Sequence, residues 1–111
     1  IDYRQSPQFR GYMWQGAENT AGRRDEREQI EFGREEPSLE AREGVALYER
    51  LRGPNQWPRE PPEFRSVYSD WLNEMETLSC ALTQALSRSM GLRPDELDSL
   101  FAMPHIQAKI V

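Results

Sequence analysis

The sequence PPEFRSVYSDWLNEMETLSCALTQALSRSMG, residues 61–91, carries the strongest structural signal in the chain. Its apolar residues recur at intervals of three and four, which places them on one face of a helix. They are Phe64, Val67, Tyr68, Trp71, Leu72, Met75, Leu78, Leu82, Ala85, Leu86 and Met90. Prolines are tolerated in the first turn of a helix, and Gly91 suits a left-handed cap at its end. The pattern predicts a long amphipathic helix over about residues 63–90.

The residues after this helix predict two further elements, a short helix and a β-strand. Pro94 followed by two acidic residues is typical of a helix start, so we expect a second, short helix over about residues 94–101. Residues 106–111 alternate between apolar and polar, which predicts the opening of a β-strand. A single strand without a partner is not stable, and the chain starts at Ile1 without Met. We therefore expect residues 1–111 to be a single piece of a larger protein.

The first 62 residues are rich in charge, glycine and proline, and they give weaker signals. Residues 12–14 favour a short strand, and residues 16–22 are rich in turn formers. Residues 23–32 mix both charge signs and are consistent with one or two helical turns. A moderate helical pattern covers residues 38–51, while residues 53–58, GPNQWP, indicate a rigid irregular loop. The expected fold class is thus α+β, mostly helical, with an irregular first half.

Composition excludes several classes of function. The net charge of −5 argues against nucleic acid and anionic membranes as partners, because both attract a basic surface. No apolar stretch is long enough to span a membrane or to serve as a signal peptide. The single Cys cannot form an internal disulfide and suits a reducing compartment, so we expect a cytoplasmic protein. With one His and one Cys, the chain cannot supply a zinc site or a two-His iron site by itself.

An ordered set of short motifs resembles the isopenicillin N synthase-like 2-oxoglutarate/iron(II) dioxygenases in their N-terminal region. The first half contributes Gly11-Tyr12, Gly16-Ala17-Glu18, Asp25, Arg27-Glu28, Phe32-Gly33 and the loop 53–58. The second half contributes Pro62, Phe64-Arg65, Tyr68, Met75, Leu78, Leu82, Gly91-Leu92 and Pro94-Asp95. No single motif is specific, but their order and spacing match the family from about Phe9 to Val111.

The resemblance implies a fold, and it implies that the catalytic residues lie in another domain of the enzyme. In the family, the long helix packs on a double-stranded β-helix (jelly-roll) domain, which is the expected partner of this chain. Fe(II) is held there by a His-x-Asp and a distal His, and 2-oxoglutarate by an Arg-x-Ser. None of these motifs has a match in residues 1–111. We therefore expect no catalytic residue and no metal ligand in this chain. Fe(II), 2-oxoglutarate and the small organic substrate would belong to the parent enzyme.

N-terminal loops of the family contribute to the mouth of the substrate pocket. The matching positions here are Tyr12, Glu18, Asn19 and Thr20. As candidate substrate-binding residues, Glu18 would pair with a cationic or hydroxylated substrate, and Asn19 and Thr20 would supply hydrogen bonds. The alternative is a surface turn in which these side chains satisfy local backbone groups.

A different class of function also fits the helix pattern, namely a free-standing acidic helical module that binds another protein. Two features separate the readings. The module requires a complete helical core and no strand at the end of the sequence. The oxygenase reading requires an apolar helix face that the rest of the chain cannot cover.

Overall fold

A computed structural model describes residues 1–38 and 44–111. The chain divides into two compact units. The first, here called the sheet unit, comprises residues 1–58 and 105–111, and the second, the helix unit, comprises residues 59–104.

The sheet unit is built around a three-stranded antiparallel sheet in the order β1-β4-β5. A separate hairpin is formed by β2 and β3. The strand bounds are β1 Gly11–Met13, β2 Asn19–Thr20, β3 Arg23–Arg24, β4 Gln29–Gly33 and β5 Gln107–Ile110. The hairpin turns at Ala21 and Gly22, whose φ angles are 51° and 82°. Two positive φ values at a two-residue loop are those of a type I′ turn, which matches the twist of the paired strands.

The loop 53–58 holds the end of β4 with side-chain hydrogen bonds. Asn55 accepts from the backbone N–H of Gly33 at 2.8 Å and donates to its carbonyl at 2.9 Å. Trp57 stacks on the fully buried ring of Phe32, with 5.1 Å between ring centroids. Gln56 donates to the carbonyls of Asp2 and Arg10, both at 2.8 Å. The predicted irregular loop is therefore confirmed, and these tertiary contacts hold its conformation.

An ion pair ties the segment after β4 to the residues before this loop. Arg52 donates through Nε and Nη2 to the two carboxylate oxygens of Glu36, each at 2.7 Å. Both side chains are mostly buried, a setting in which such a bidentate pair is favourable. The hydrogen bonds from Arg52 lower the pKa of Glu36 below its ordinary value.

The helix unit contains α1, Phe64–Ser89, which confirms the long helix predicted over 63–90 within a residue at each end. Gly91 caps it with a φ of 75°. The N–H of Gly91 bonds to the carbonyl of Arg88, and that of Leu92 to the carbonyl of Ser87, both at 3.0 Å. This pair of bonds is the Schellman motif, which satisfies carbonyls that the helix end leaves open.

The apolar face of α1 is largely exposed. Tyr68 and Leu72 are buried, whereas six large apolar residues of the same stripe are exposed. The exposed ones are Val67, Trp71, Leu78, Leu82, Leu86 and Met90. Leu82, for example, retains 62% of its possible exposure. Within the described part of the chain, no helix combines the length and apolarity needed to cross a membrane.

The expectation of a mostly helical fold with two helices is wrong. Within the described residues α1 is the only α-helix, and the predicted helix over 94–101 consists of turns followed by a 3₁₀ helix at Asp98–Phe101. Its backbone bonds run from residue i+3 to i, as in Leu100 to Leu97. Starting an α-helix is unfavourable, and a segment of eight residues adds too few hydrogen bonds to offset that cost. The tighter 3₁₀ turns form instead.

The expectation of an irregular first half is also wrong. Of residues 23–32, residues 23–24 form β3 and residues 29–32 belong to β4, and none is helical. The predicted strand near the end of the sequence is confirmed as β5, but it has a partner within the chain, because it pairs with β4. Of the helical pattern over 38–51, residues 39–43 lie outside the described residues, and Leu47–Leu51 is a 3₁₀ helix.

The bonds of Asn55 to Gly33 yield a stability prediction. We expect Asn55→Ala to lower the free energy of unfolding by about 1–3 kcal/mol, because a backbone donor and acceptor lose their partner. Asn73→Ala, at an exposed position of α1, is the matched control and should change it by less than about 0.5 kcal/mol. Urea unfolding of the two variants measures the difference. Equal midpoints would contradict a stabilising role for the two hydrogen bonds between Asn55 and Gly33.

Candidate functional site

One face of the sheet carries a connected set of polar side chains. The register pairs Met13 with Gln29 and Lys109 with Glu31, and directly paired residues share a face. Gln107 lies two residues from Lys109 and therefore projects to the same side. Glu18 joins the set from the loop after β1 through a hydrogen bond. The polar face is defined here as Met13, Glu18, Gln29, Glu31, Gln107 and Lys109.

Glu31 is the most buried acid of the polar face, with 5% exposure. Lys109 Nζ lies 2.8 Å from its Oε1, and Gln107 Nε2 donates to its Oε2 at 2.7 Å. A carboxylate removed from water requires such partners, because burying an unpaired charge is very costly. Both partners come from β5, so the strand that completes the sheet also makes the buried acid tolerable.

Gln29 connects the two acids of the polar face. Its Nε2 donates to Glu18 Oε2 at 3.1 Å and lies 3.4 Å from Glu31 Oε1. The same nitrogen is 3.1 Å from the sulfur of Met13. Its Oε1 is buried and accepts no hydrogen bond from the described residues. The Gln29 nitrogen therefore faces the two carboxylates, and the Gln29 oxygen has no hydrogen-bond donor among the described residues.

The predicted substrate-binding residues of the loop after β1 are placed as follows. Glu18 accepts from Arg27 Nη2 at 2.9 Å as well as from Gln29, and its carboxylate raises the pKa of Arg27. Thr20 donates to Asp25 at 3.2 Å. Asn19 lies in β2, paired with Arg24 of β3. Of these residues the structure brings only Glu18 to the polar face.

Tyr12 lies on the other face of the sheet. It precedes Met13 in β1, and neighbouring residues of a strand point to opposite sides. Its hydroxyl donates to Glu28 Oε2 at 2.6 Å. This hydrogen bond, aided by partial desolvation and the negative charge of Glu28, raises the pKa of Tyr12 above its ordinary value. The structure therefore does not bring Tyr12 and Glu18 together in one site.

The described residues do not fit a metal centre. In residues 1–38 and 44–111, no group of three His, Cys, Asp or Glu side chains is arranged to hold a metal ion. The two-His set that the resemblance implies for Fe(II) cannot be assembled from a chain with one His. No reaction step can therefore be assigned to a metal on this chain's own residues.

Comparison with known families gives the relationship directly. The family described as non-haem dioxygenase in morphine synthesis N-terminal matches residues 2–60, which is more than half of the chain. The chain belongs to this family. The resemblance to the N-terminal region of 2-oxoglutarate/Fe(II) dioxygenases is thus confirmed.

Curated relatives extend the match of this dioxygenase N-terminal chain beyond residue 60. The 2-oxoglutarate-dependent dioxygenase frbJ of Dothideomycetidae sp. (strain 11243) is 35% identical over 101 residues, which is 91% of this chain and 27% of the relative. Homoarginine-6-hydroxylase 2-ODD-C23.2 of Arabidopsis thaliana is 30% identical over 90 residues, 81% of this chain and 24% of the relative. The chain therefore spans about a quarter of the length of these proteins. No solved structure matches it significantly.

Sequence reasoning missed most of the polar face of this dioxygenase region. The sequence does not mark Gln29, Glu31 and Lys109 as site residues, because charged and amide side chains in a polar stretch are usually exposed to water. The alternation Gln29-Ile30-Glu31-Phe32 was the available signal, since strict alternation predicts a strand with one polar side. What the alternation does not reveal is that this polar side is buried.

The bond between Tyr12 and Glu28 predicts a titration. Tyr12 should lose its proton above pH 10, since ionisation breaks the hydrogen bond and sets two negative charges side by side. Glu28→Gln should return its pKa toward the ordinary value, and Glu26→Gln, at an exposed neighbouring position, should leave it raised. Carbon-13 NMR of the labelled tyrosine Cζ, assigned with Tyr12→Phe, measures this. Identical curves for wild type and Glu28→Gln would contradict the contact.

Proposed function

We propose that this chain is the N-terminal, non-catalytic part of a 2-oxoglutarate/Fe(II)-dependent oxygenase that oxidises a small organic substrate in the cytoplasm. The observation that carries the proposal is the family match over residues 2–60. A relative named as a 2-oxoglutarate-dependent dioxygenase supports it, with similarity over 91% of the chain. Residues that hold iron and 2-oxoglutarate are assigned to other parts of the oxygenase, because residues 1–38 and 44–111 include no fitting donor set for a metal ion.

The first role proposed for the chain is to support the catalytic domain. Apolar side chains such as Val67 and Leu82 on α1 are more than half exposed, and burying such surface is favourable. We assign the jelly-roll domain of the same protein as the surface that covers them. The antiparallel pairing of β5 with β4 also favours this reading over the free-standing helical module, which required no strand near the end of the sequence.

The second role proposed is to border the substrate mouth. Glu18, Asn19 and Thr20 lie on the β2–β3 hairpin or just before it, and Glu18 contacts the polar face. Groups of this kind orient a polar substrate and exclude water, while the cofactor supplies the oxidation chemistry. Tyr12, which lies on the other face of the sheet and is bonded to Glu28, is not assigned to this mouth.

The proposal predicts how activity divides between the chain and the protein that carries it. The 111-residue chain alone should show no iron(II)-dependent consumption of 2-oxoglutarate, whereas the full-length protein should consume it and form succinate. Assays of the two samples at equal concentration, with and without iron(II), measure this. Turnover by residues 1–111 alone would contradict the assignment of the catalytic residues elsewhere.

Glu18→Ala tests the proposed substrate mouth in the full-length protein. We expect KM for the substrate to rise by about tenfold, since a hydrogen bond to a charged group is worth on the order of 1.5–3 kcal/mol. The melting temperature should change little, because Glu18 is partly exposed. Glu74→Ala, at an exposed position of α1, is the matched control. An unchanged KM in Glu18→Ala would contradict the proposed mouth and favour the alternative, in which the loop is only a surface turn.

A further inference from the structure

The unused oxygen of Gln29 is the feature that the proposed function does not explain. Gln29 is only 3% exposed, and its Oε1 accepts no hydrogen bond from any residue in the described ranges. Buried polar atoms of native proteins nearly always have a partner. An acceptor held in this way is expected where a ligand supplies the missing donor.

The orientation of the Gln29 amide follows from its neighbours. Its Nε2 lies near carboxylate oxygens of both Glu18 and Glu31. Exchanging the two ends of the amide would set Oε1 against those oxygens, which accept but cannot donate when ionised. The nitrogen must therefore face the acids, and the oxygen is the atom left without a donor.

The charges around the Gln29 amide favour a cationic donor. Glu18 and Glu31 flank the amide, and Asp25 lies 3.2 Å from Arg27 at the end of the same network. Two cations, Arg27 and Lys109, pair with these three acids, so one negative charge is not balanced within the network. An anionic ligand would meet the acids first, and an apolar ligand would leave Oε1 without a donor.

Lys109 shows what kind of group the site accepts. Its ammonium lies 2.8 Å from Glu31 Oε1, while its side chain remains 36% exposed. A lysine on a flexible, partly exposed stem can swing into water and give its place on Glu31 to another cation. Met13, which contacts the Gln29 amide, has an unbranched side chain that adapts readily to a new neighbour.

We propose that Gln29 and Glu31 form a recognition site for a cationic nitrogen group of the substrate, an ammonium or a guanidinium. Gln29 Oε1 accepts one N–H of this group, and Glu31 supplies the opposite charge in place of its bond to Lys109. The inference rests on the proposed function, since it assigns the cation to the substrate of the oxygenase.

The test measures binding of small cations to the full-length protein by NMR. The probes are methylguanidinium and methylammonium chloride at constant ionic strength, followed at the backbone amides of Met13 and Glu31 and at the side-chain amide of Gln29. Tetramethylammonium carries the charge without an N–H, and N-methylurea carries N–H groups without the charge. We expect saturable shifts with the first two compounds only. No saturable shift, or an equal response to N-methylurea, would overturn the cation site.

Three variants separate recognition from a structural role. Glu31→Gln and Gln29→Met should each weaken binding of the probe by about tenfold, as the loss of one charge-assisted contact predicts. Lys109→Met should strengthen binding, because it removes the competing ammonium, and a merely structural network would not show this gain. Gln5→Met, at an exposed position, is the control. If Gln29→Met does not fold, the other two variants decide, and unchanged affinity in both overturns the site.

The same samples keep this inference separate from the function on which it rests. Consumption of 2-oxoglutarate without a saturable shift overturns the cation site alone. Probe binding without consumption of 2-oxoglutarate in the presence of iron(II) overturns the proposed function, and with it the assignment of the cation to a substrate. Consumption together with binding that depends on Glu31 supports both.

Discussion

The backbone pairing of β4 with two other strands is the constraint on which the sheet unit depends. β4 is bonded to β1 on one side and to β5 on the other, and β5 lies more than seventy residues further along the chain. Asn55 and Trp57 then hold the end and one face of this strand. A strand buried in this way needs every backbone group satisfied, which explains why polar side chains crowd around Gly33.

The register of this pairing creates the polar face. Since side chains alternate along a strand, a slip of one residue would replace Gln29 and Glu31 with Ile30 and Phe32. The stacking of Phe32 on Trp57 opposes such a slip from the other side of the sheet. The apolar contact on one face thus determines which acids and amides are presented on the other.

The two units of the chain suit different tasks in the proposed oxygenase. α1 offers a long apolar face, and surface of that kind is stabilised by a large complementary partner. The polar face offers one buried carboxylate, Glu31, and an unused amide oxygen, which are suited to orienting a small polar molecule. The proposed support and the proposed recognition therefore involve residues of different units.

The sequence by itself determined the features whose physics is local. α1 and its Gly91 cap were predictable because helix hydrogen bonds join residues four apart, and the apolar period records them. The short motifs likewise indicated the dioxygenase family. Only the tertiary structure decided that residues 23–32 contribute to two strands, that β5 has a partner, and that Tyr12 and Glu18 do not share a site. These depend on pairing between distant residues, such as Glu31 with Lys109, and no local pattern encodes which distant strand will supply the partner.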